Sequence, residues 1–288
     1  MENHFPLVTV AIPFYNAQSH LKEAILSVCN QTYTNIEILL LDDGSTDNSL
    51  FIASSFHDNR IRIVTDGTNK GLVYRLNQSV KLANGVFYAR MDSDDIMHCE
   101  RIEKQVNALL HNTNIDVLGT SIYTIDNENR ICSCVIMHDN TASKEVSFVH
   151  PSVMARREWM LKNPYDRKYL RVEDRELWLR TSHFSTFHNL PEPLMFYRQF
   201  GIPTCKKYLL SQLGCIKIAL HPHTYHLSIT QMIKEIIVSI FKSAVCISCY
   251  FVGNMDLLVQ MRKVNNVLFN NELASSALNE ALKERVDR

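Results

Sequence analysis

Between Val86 and Asp95 an apolar run (Val-Phe-Tyr-Ala-Arg-Met) stops at Asp92, Asp94 and Asp95, three carboxylates within four residues. A run of this length ahead of a polar break reads as a buried strand. Carboxylates spaced one residue apart behind a parallel strand can converge on one hard divalent cation. Such a cation is most useful where a phosphate needs neutralising. The bland alternative is an acidic, helix-capping surface turn, and a D-x-D spacing alone also occurs by chance. The position directly behind a strand favours the cation site.

The first half of the chain repeats this grammar. Residues 7–12, 36–41, 61–64 and 86–91 read as strands, with helical spacing at 20–28, 46–56 and 72–83 between them. Strand–helix alternation predicts a parallel α/β sheet, whose ligands gather at the carboxyl edge of the strands. Pro13-Phe14-Tyr15-Asn16 ends the first strand at that edge, where an aromatic ring could stack on a nucleobase or simply pack a corner. Asp42-Asp43 ends the second, where a carboxylate could accept from a base N–H or a ribose hydroxyl, or merely open an Asp-Gly turn. Glu173-Asp174 opens a predicted helix over 172–180. An Asp there could serve as a general base, or the pair could be the negative charge that a helix N-terminus favours. His150 could be a metal ligand, a base or a structural residue.

Composition and absent motifs narrow the classes. Thirty basic and thirty acidic side chains cancel, so the chain is not a general nucleic-acid binder. Eight scattered cysteines form no paired CxxC framework, which fits reduced cytosolic thiols. Residues 1–20 lack the pattern of a secretion signal. No GxGxxG follows the first strand and no GxxxxGK[ST] occurs, so dinucleotide oxidoreductases and P-loop enzymes are excluded. GxSxG and HExxH are missing as well.

Further along, residues 137–148 are polar and irregular, suited to a loop beside a site. Residues 190–193 read as a break before a last strand at 194–197. From residue 201 the pattern turns helical. In 231–252, Lys234, Glu235, Ser239, Lys242, Ser243 and Cys246 form one narrow polar stripe and most other positions are apolar. The charges leave no uncharged run of ~18 residues, so no membrane span is predicted. The wide apolar face suits packing on the catalytic domain first, and a bilayer surface second.

Five segments, taken in order, resemble the inverting glycosyltransferases of family 2, which have the GT-A fold, a Rossmann-like mixed sheet flanked by helices. They are VTVAIPFYN (8–16), SVCNQTYTNIEILLLDDGSTD (27–47), NKGLVYRLNQSVKLANGVFYARMDSDD (69–95), HPSVM (150–154) and RVEDRELWLR (171–180). The resemblance implies a catalytic domain over 1–200, and the helical pattern beyond it predicts a C-terminal region over 201–288. It implies a nucleotide-sugar donor, UDP-linked, and Mg²⁺ or Mn²⁺ as cofactor. Tyr15 would stack on uracil, Asp43 would accept from the base N3–H, and Pro13, Asn16, Arg75 and Glu173 would complete the donor site. Asp94 would be the principal metal ligand, Asp92 would bind near the ribose or the metal, and His150 would serve the metal or the diphosphate. Asp174 would be the base at the acceptor hydroxyl.

The Gln-x-x-Arg-Trp motif of processive synthases is missing, with only Arg198 after 194–197. Transfer of one sugar to a glycan or lipid-linked acceptor is therefore expected, as in bacterial surface-polysaccharide assembly. The expected location is the cytoplasm, with a peripheral place at the inner membrane face through 231–252 as the second option. The rival readings are a sugar-nucleotide nucleotidyltransferase, which would want a Gly-rich basic loop after the first strand, and a nucleotide-sugar-binding module without turnover.

Overall fold

The computed structural model describes residues 5–138, 147–199, 204–255 and 266–284. Four parallel strands carry the first half: β1 (Val8–Phe14), β2 (Ile36–Asp42), β3 (Ile61–Val64) and β4 (Phe87–Arg90). β1 lies between β2 and β4, and β3 pairs with the far side of β2. Every residue of β1 and β4 is buried. A parallel strand covered on both faces needs this, which is why these runs are nearly continuous in apolar residues. The crossovers carry helices α1 (Leu21–Cys29), α2 (Ser49–Ser54) and α3 (Leu72–Leu82). On α1, Leu21, Ala24, Ile25 and Val28 point into the main core with Val10, Ile12, Ile38 and Leu40. The predicted α/β architecture is borne out here.

Beyond β4 the sheet becomes mixed. It gains β5 (Ile96–Met97), β6 (Val117–Ile125), β7 (Ile131–Val135), β8 (Met154–Arg156), β9 (Phe187–Arg198) and β10 (Asn266–Val267). The order is β10-β7-β6-β8-β4-β1-β2-β3, with β9 pairing β5 and β6. Helices α4 (Arg101–His111) and α5 (Arg157–Lys162) flank this half. The break expected at 190–193 is instead part of one strand. β9 runs through both prolines, and its register against β6 shifts between Thr120 and Tyr123. Proline has no N–H for the ladder, so the strand bulges there and then resumes.

Contacts divide the chain into two units, and not at residue 200. The first holds residues 1–163, 185–199 and 266–288; the second holds 164–184 and 200–265. The second unit contains α6 (Glu173–Thr181), α7 (Cys205–Ala219) and α8 (Ile229–Val252). Val172, Ile218 and Tyr225 form its small core. Ser228 and Gln231 close a capping box on α8, which fixes its start two residues ahead of the predicted one. By length and composition α8 is long and apolar enough to cross a membrane.

The last helix, α9 (Asn271–Ala281), belongs to the first unit rather than to a C-terminal extension. Asn30 Nδ2 donates to Ala281 O and Lys283 O at 2.9 Å each. Leu278 and Ala281 pack with Ile96 and Phe196. The distance in sequence between these partners hides the contact from any local pattern. Of the predicted loop at 137–148, residues 139–146 lie outside the described residues.

Candidate active site

Because β1, β2 and β4 are parallel, their C-terminal ends meet at one edge of the sheet. A cavity of about 210 Å³ lies there, lined by Pro13, Tyr15, Asp43, Arg75, Asp92 and Asp94, with Phe14, Leu72 and Ser93. Five positions singled out from strand-end patterns, Pro13, Tyr15, Asp43, Asp92 and Asp94, are thus brought together with Arg75, which the family resemblance implied. Tyr15 is 49 % exposed, which leaves it accessible at the cavity. A larger cavity, about 410 Å³, sits beside Gly85, Val86 and Arg157 at the start of β4 and holds none of these carboxylates.

Asp43 is held from three sides. Its Oδ1 accepts from the Lys70 N–H at 2.8 Å and from Arg75 Nε at 2.9 Å, and its Oδ2 accepts from the Gly71 N–H at 2.9 Å. Two glycines make this possible. Gly71 has φ +87° and ψ 155°, a region essentially restricted to glycine. Gly44 has φ +74°, and a Cβ on it would stand 2.8 Å from Asn69 N. Arg75 is fully buried. Its remaining nitrogens donate to Asp66, Gln78 and the Thr68 carbonyl. It lines the cavity, and its hydrogen bonds go to the protein, so it shapes the cavity through Asp43.

Asn16 stands at the turn that follows β1. It adopts φ +49°, its Oδ1 accepts from the Thr46 N–H at 2.8 Å, and its own N–H donates to Ser45 Oγ at 3.1 Å. These bonds tie the end of β1 to the loop after β2. Asn16 therefore shapes the turn that carries Tyr15 and does not line the cavity.

The acidic turn places one oxygen each of Asp92, Asp94 and Asp95 within 4.8 Å of one another. Burial raises the Asp94 carboxyl to about 6, and the neighbouring Asp92 adds to the effect. Burial, then Asp94 and Asp92, push Asp95 well above the usual range. Burial works the same way on Asp92, but Arg90 and His150 outweigh it and hold that carboxyl below its usual range. Arg90 Nε reaches Asp92 Oδ1 at 3.0 Å, and His150 Nε2 lies 3.4 Å from Asp92 Oδ2. Asp95 Oδ2 is buried with no hydrogen-bond partner among the described residues. Crowded carboxylates with an unsatisfied buried oxygen fit a hard divalent cation, which takes oxygen ligands and supplies the missing positive charge.

Strand-end patterns missed what anchors this turn. Arg198, the last residue of β9, has no exposed side chain. Its backbone N–H donates to Asp95 Oδ1 at 2.7 Å, and its Nε to the Asp94 carbonyl at 2.7 Å. The other nitrogens donate to Asp126 O, Asn129 Oδ1 and Glu23 Oε2. Arg101 lies fully buried behind the turn and donates to the Arg90 and Val153 carbonyls. The available signal was arginine standing in otherwise apolar strand and helix faces, because arginine is almost never fully buried unless paired.

Glu173 and Asp174 open α6, as predicted, and belong to the second unit. Glu173 is buried and its Oε2 has no hydrogen-bond partner among the described residues; Asp174 is half-buried. Their part in the site is taken up below as a proposal.

Residues 9–189 match the family described as Glycosyl transferase family 2. An uncharacterized glycosyltransferase of Haemophilus influenzae is 31% identical over 228 residues, which are 72% of this chain and 70% of that protein. The Escherichia coli UDP-Glc:alpha-D-GlcNAc-diphosphoundecaprenol beta-1,3-glucosyltransferase WfgD is 34% identical over 177 residues, 60% of this chain and 68% of that one. Among solved structures, S. aureus TarS 1-349 in complex with UDP superposes with a TM-score of 0.63 at 17% identity, covering 80% of this chain and 69% of that chain. The superposition bears out the GT-A fold. With its sheet edge, its acidic turn and a family match across most of the first unit, the chain belongs to glycosyl transferase family 2.

Proposed function

We propose that the chain transfers a single sugar from a UDP-sugar to a hydroxyl of a glycan or lipid-linked acceptor, with inversion, in bacterial surface-polysaccharide synthesis. The observation that carries this reading is the one cavity lined by Tyr15, Asp43, Asp92 and Asp94. Membership of the family removes the nucleotidyltransferase alternative. A UDP donor is supported by the names of two similar proteins, one acting with UDP-Glc and one crystallised with UDP. The reading places the enzyme in the cytoplasm, where nucleotide sugars are available.

In this reading uracil stacks on the exposed Tyr15 ring. Asp43 Oδ2 receives one N–H from Gly71 and keeps a lone pair for the base N3–H. Pro13 and Asn16 hold the turn that presents Tyr15, and Arg75 holds Asp43. Held by Asp94 and Asp92, Mg²⁺ or Mn²⁺ would offset the diphosphate charge and that of the departing nucleoside diphosphate. His150 steadies Asp92 at Oδ2, an oxygen that Arg90 also reaches. Glu173 is assigned to the donor site and Asp174 to the acceptor, both on the resemblance of RVEDRELWLR to the family. Asp174 takes the hydroxyl proton as the acceptor oxygen bonds to the anomeric carbon and the bond to UDP breaks.

Asp174→Asn tests the assignment. Transfer is expected to fall by ~10²–10⁴-fold, the range of a lost general base, with UDP affinity unchanged. Undiminished transfer at unchanged UDP affinity would remove Asp174 as the base.

A further inference from the structure

Helix α8 buries a narrow face of small side chains and exposes most of its large apolar ones. Its buried side chains are Ser239, Cys246 and Cys249, and Cys246 Sγ lies 3.4 Å from Cys205 Sγ of α7. Outward point Ile233, Ile237, Ile240, Phe241, Ile247 and Phe251, exposed by between 41% (Ile247) and 82% (Phe251). With the exposed Ala244 between Phe241 and Ile247, these positions follow helical spacing along one side of α8. On α7, Leu210 and Leu213 are exposed as well. Soluble monomers rarely leave an apolar surface this long uncovered.

Charge selects what covers it. From Thr204 to Asn254 the chain has five lysines (Lys206, Lys207, Lys217, Lys234 and Lys242), all exposed, and one carboxylate, Glu235. Glu235 is already paired with Arg175 of α6 at 2.9 Å. A second copy of the chain would bring lysines against lysines. An anionic phospholipid surface offers phosphates to the lysines and acyl chains to the isoleucines and phenylalanines. Crossing the bilayer would instead carry the Arg175–Glu235 pair toward hydrocarbon, where charges are costly.

We infer that α7 and α8 form a docking surface for an anionic membrane, with α8 lying along the bilayer and its Ile237–Phe241 face in the headgroup–acyl boundary. The surface consists of residues outside the sugar-transfer site, so its test is independent of the transfer reaction.

The test is flotation of the full chain with vesicles of phosphatidylglycerol and phosphatidylethanolamine, beside vesicles of phosphatidylcholine alone. Wild type is expected to float with the anionic vesicles and to stay largely in the bottom fraction with phosphatidylcholine. Ile237→Glu combined with Phe241→Glu is expected to lower partitioning at least ~10-fold through lost apolar insertion, at an unchanged Tm because both side chains are exposed. Lys206→Glu with Lys207→Glu is expected to lower binding to anionic vesicles ~10-fold or more. The inference is overturned if wild type floats with neither vesicle, or if the Ile237/Phe241 variant floats like wild type. A wild-type dimer in light scattering that this variant dissociates, with no flotation of either, would assign the face to a second copy instead.

Discussion

Arg198 grips Asp94 and Asp95 from both ends of one peptide: its guanidinium Nε donates to the Asp94 carbonyl, and its backbone N–H to the Asp95 carboxylate, each at 2.7 Å. The same guanidinium reaches Glu23 on α1 and Asn129 in the β6–β7 hairpin. Three distant pieces of chain thus set the geometry of the turn that is fitted to hold a cation. Residues that orient ligands typically cost ~10–100-fold in metal affinity or activity when replaced. Arg198→Lys is expected to weaken Mn²⁺ binding by that factor, because a lysine has a single nitrogen for the fork's several acceptors. An Mn²⁺ titration followed by electron paramagnetic resonance checks it, with UDP binding in the absence of metal as the control. Unchanged Mn²⁺ affinity would reduce Arg198 to a packing residue.

Asp94→Asn should separate metal binding from folding. Removing one charge from the crowded trio relieves repulsion on Asp95, whose carboxyl Asp94 helps to push up. The metal-free Tm is therefore expected to stay level or rise, whereas the rise in Tm on adding Mn²⁺ should disappear, as ligand-linked stability requires a site in the folded state. Differential scanning fluorimetry with and without Mn²⁺ measures both. A variant that keeps the Mn²⁺-induced rise would move the cation off Asp94.

Tyr15 presents an exposed ring at the cavity mouth. Stacking of a base on an aromatic side chain contributes ~1–3 kcal/mol by alanine substitution, so Tyr15→Ala should weaken UDP binding by ~5–150-fold while Tyr15→Phe stays close to wild type. Calorimetry of UDP against the three proteins tests this. Equal affinities for alanine and phenylalanine would place the base elsewhere.

Asp58 supplies a pH-dependent part of stability. The Arg60 guanidinium grips it in a fork, with Nη2 to Oδ2 at 2.6 Å, and holds its carboxyl below the usual range. Arg60 also donates to Cys29 O at the end of α1. A depressed carboxylate binds fewer protons in the folded than in the unfolded chain near its unfolded pKa. Its stabilisation is therefore present above about 3.8 and is lost as pH falls toward the lower folded value. Asp58→Asn should lower Tm at pH 7, and the gap from wild type should close on acidification. A gap that holds constant down to pH 3 would contradict the pairing.

The chain's local grammar was enough for the strand ends. An apolar run that stops at a polar residue announces both a buried strand and what stands at its end, so Tyr15, Asp43, Asp92 and Asp94 could be placed at one edge without coordinates. Parallel order does the rest, since it brings those ends together. Local spacing also marked the polar stripe and the apolar face of α8.

Other features depended on partners that no window of sequence contains. Arg198 meets Asp94 and Glu23 across 104 and 175 positions, and Asn30 meets Ala281 across 251. Arg75 and Asn16 entered the expected donor site through the family resemblance, which carries no record of their own partners. Only the folded chain shows that Arg75 bonds Asp43 and Asp66, and that the exposed Asn16 bonds Thr46. Likewise, hydropathy shows that α8 has two faces, while only tertiary packing decides which one turns inward. There the buried face runs through Ser239, Cys246 and Cys249, while Lys234 and Lys242 of the polar stripe stay exposed. Periodicity records the chemistry of each face, and the folded chain determines which of those groups have spent their hydrogen bonds and their burial.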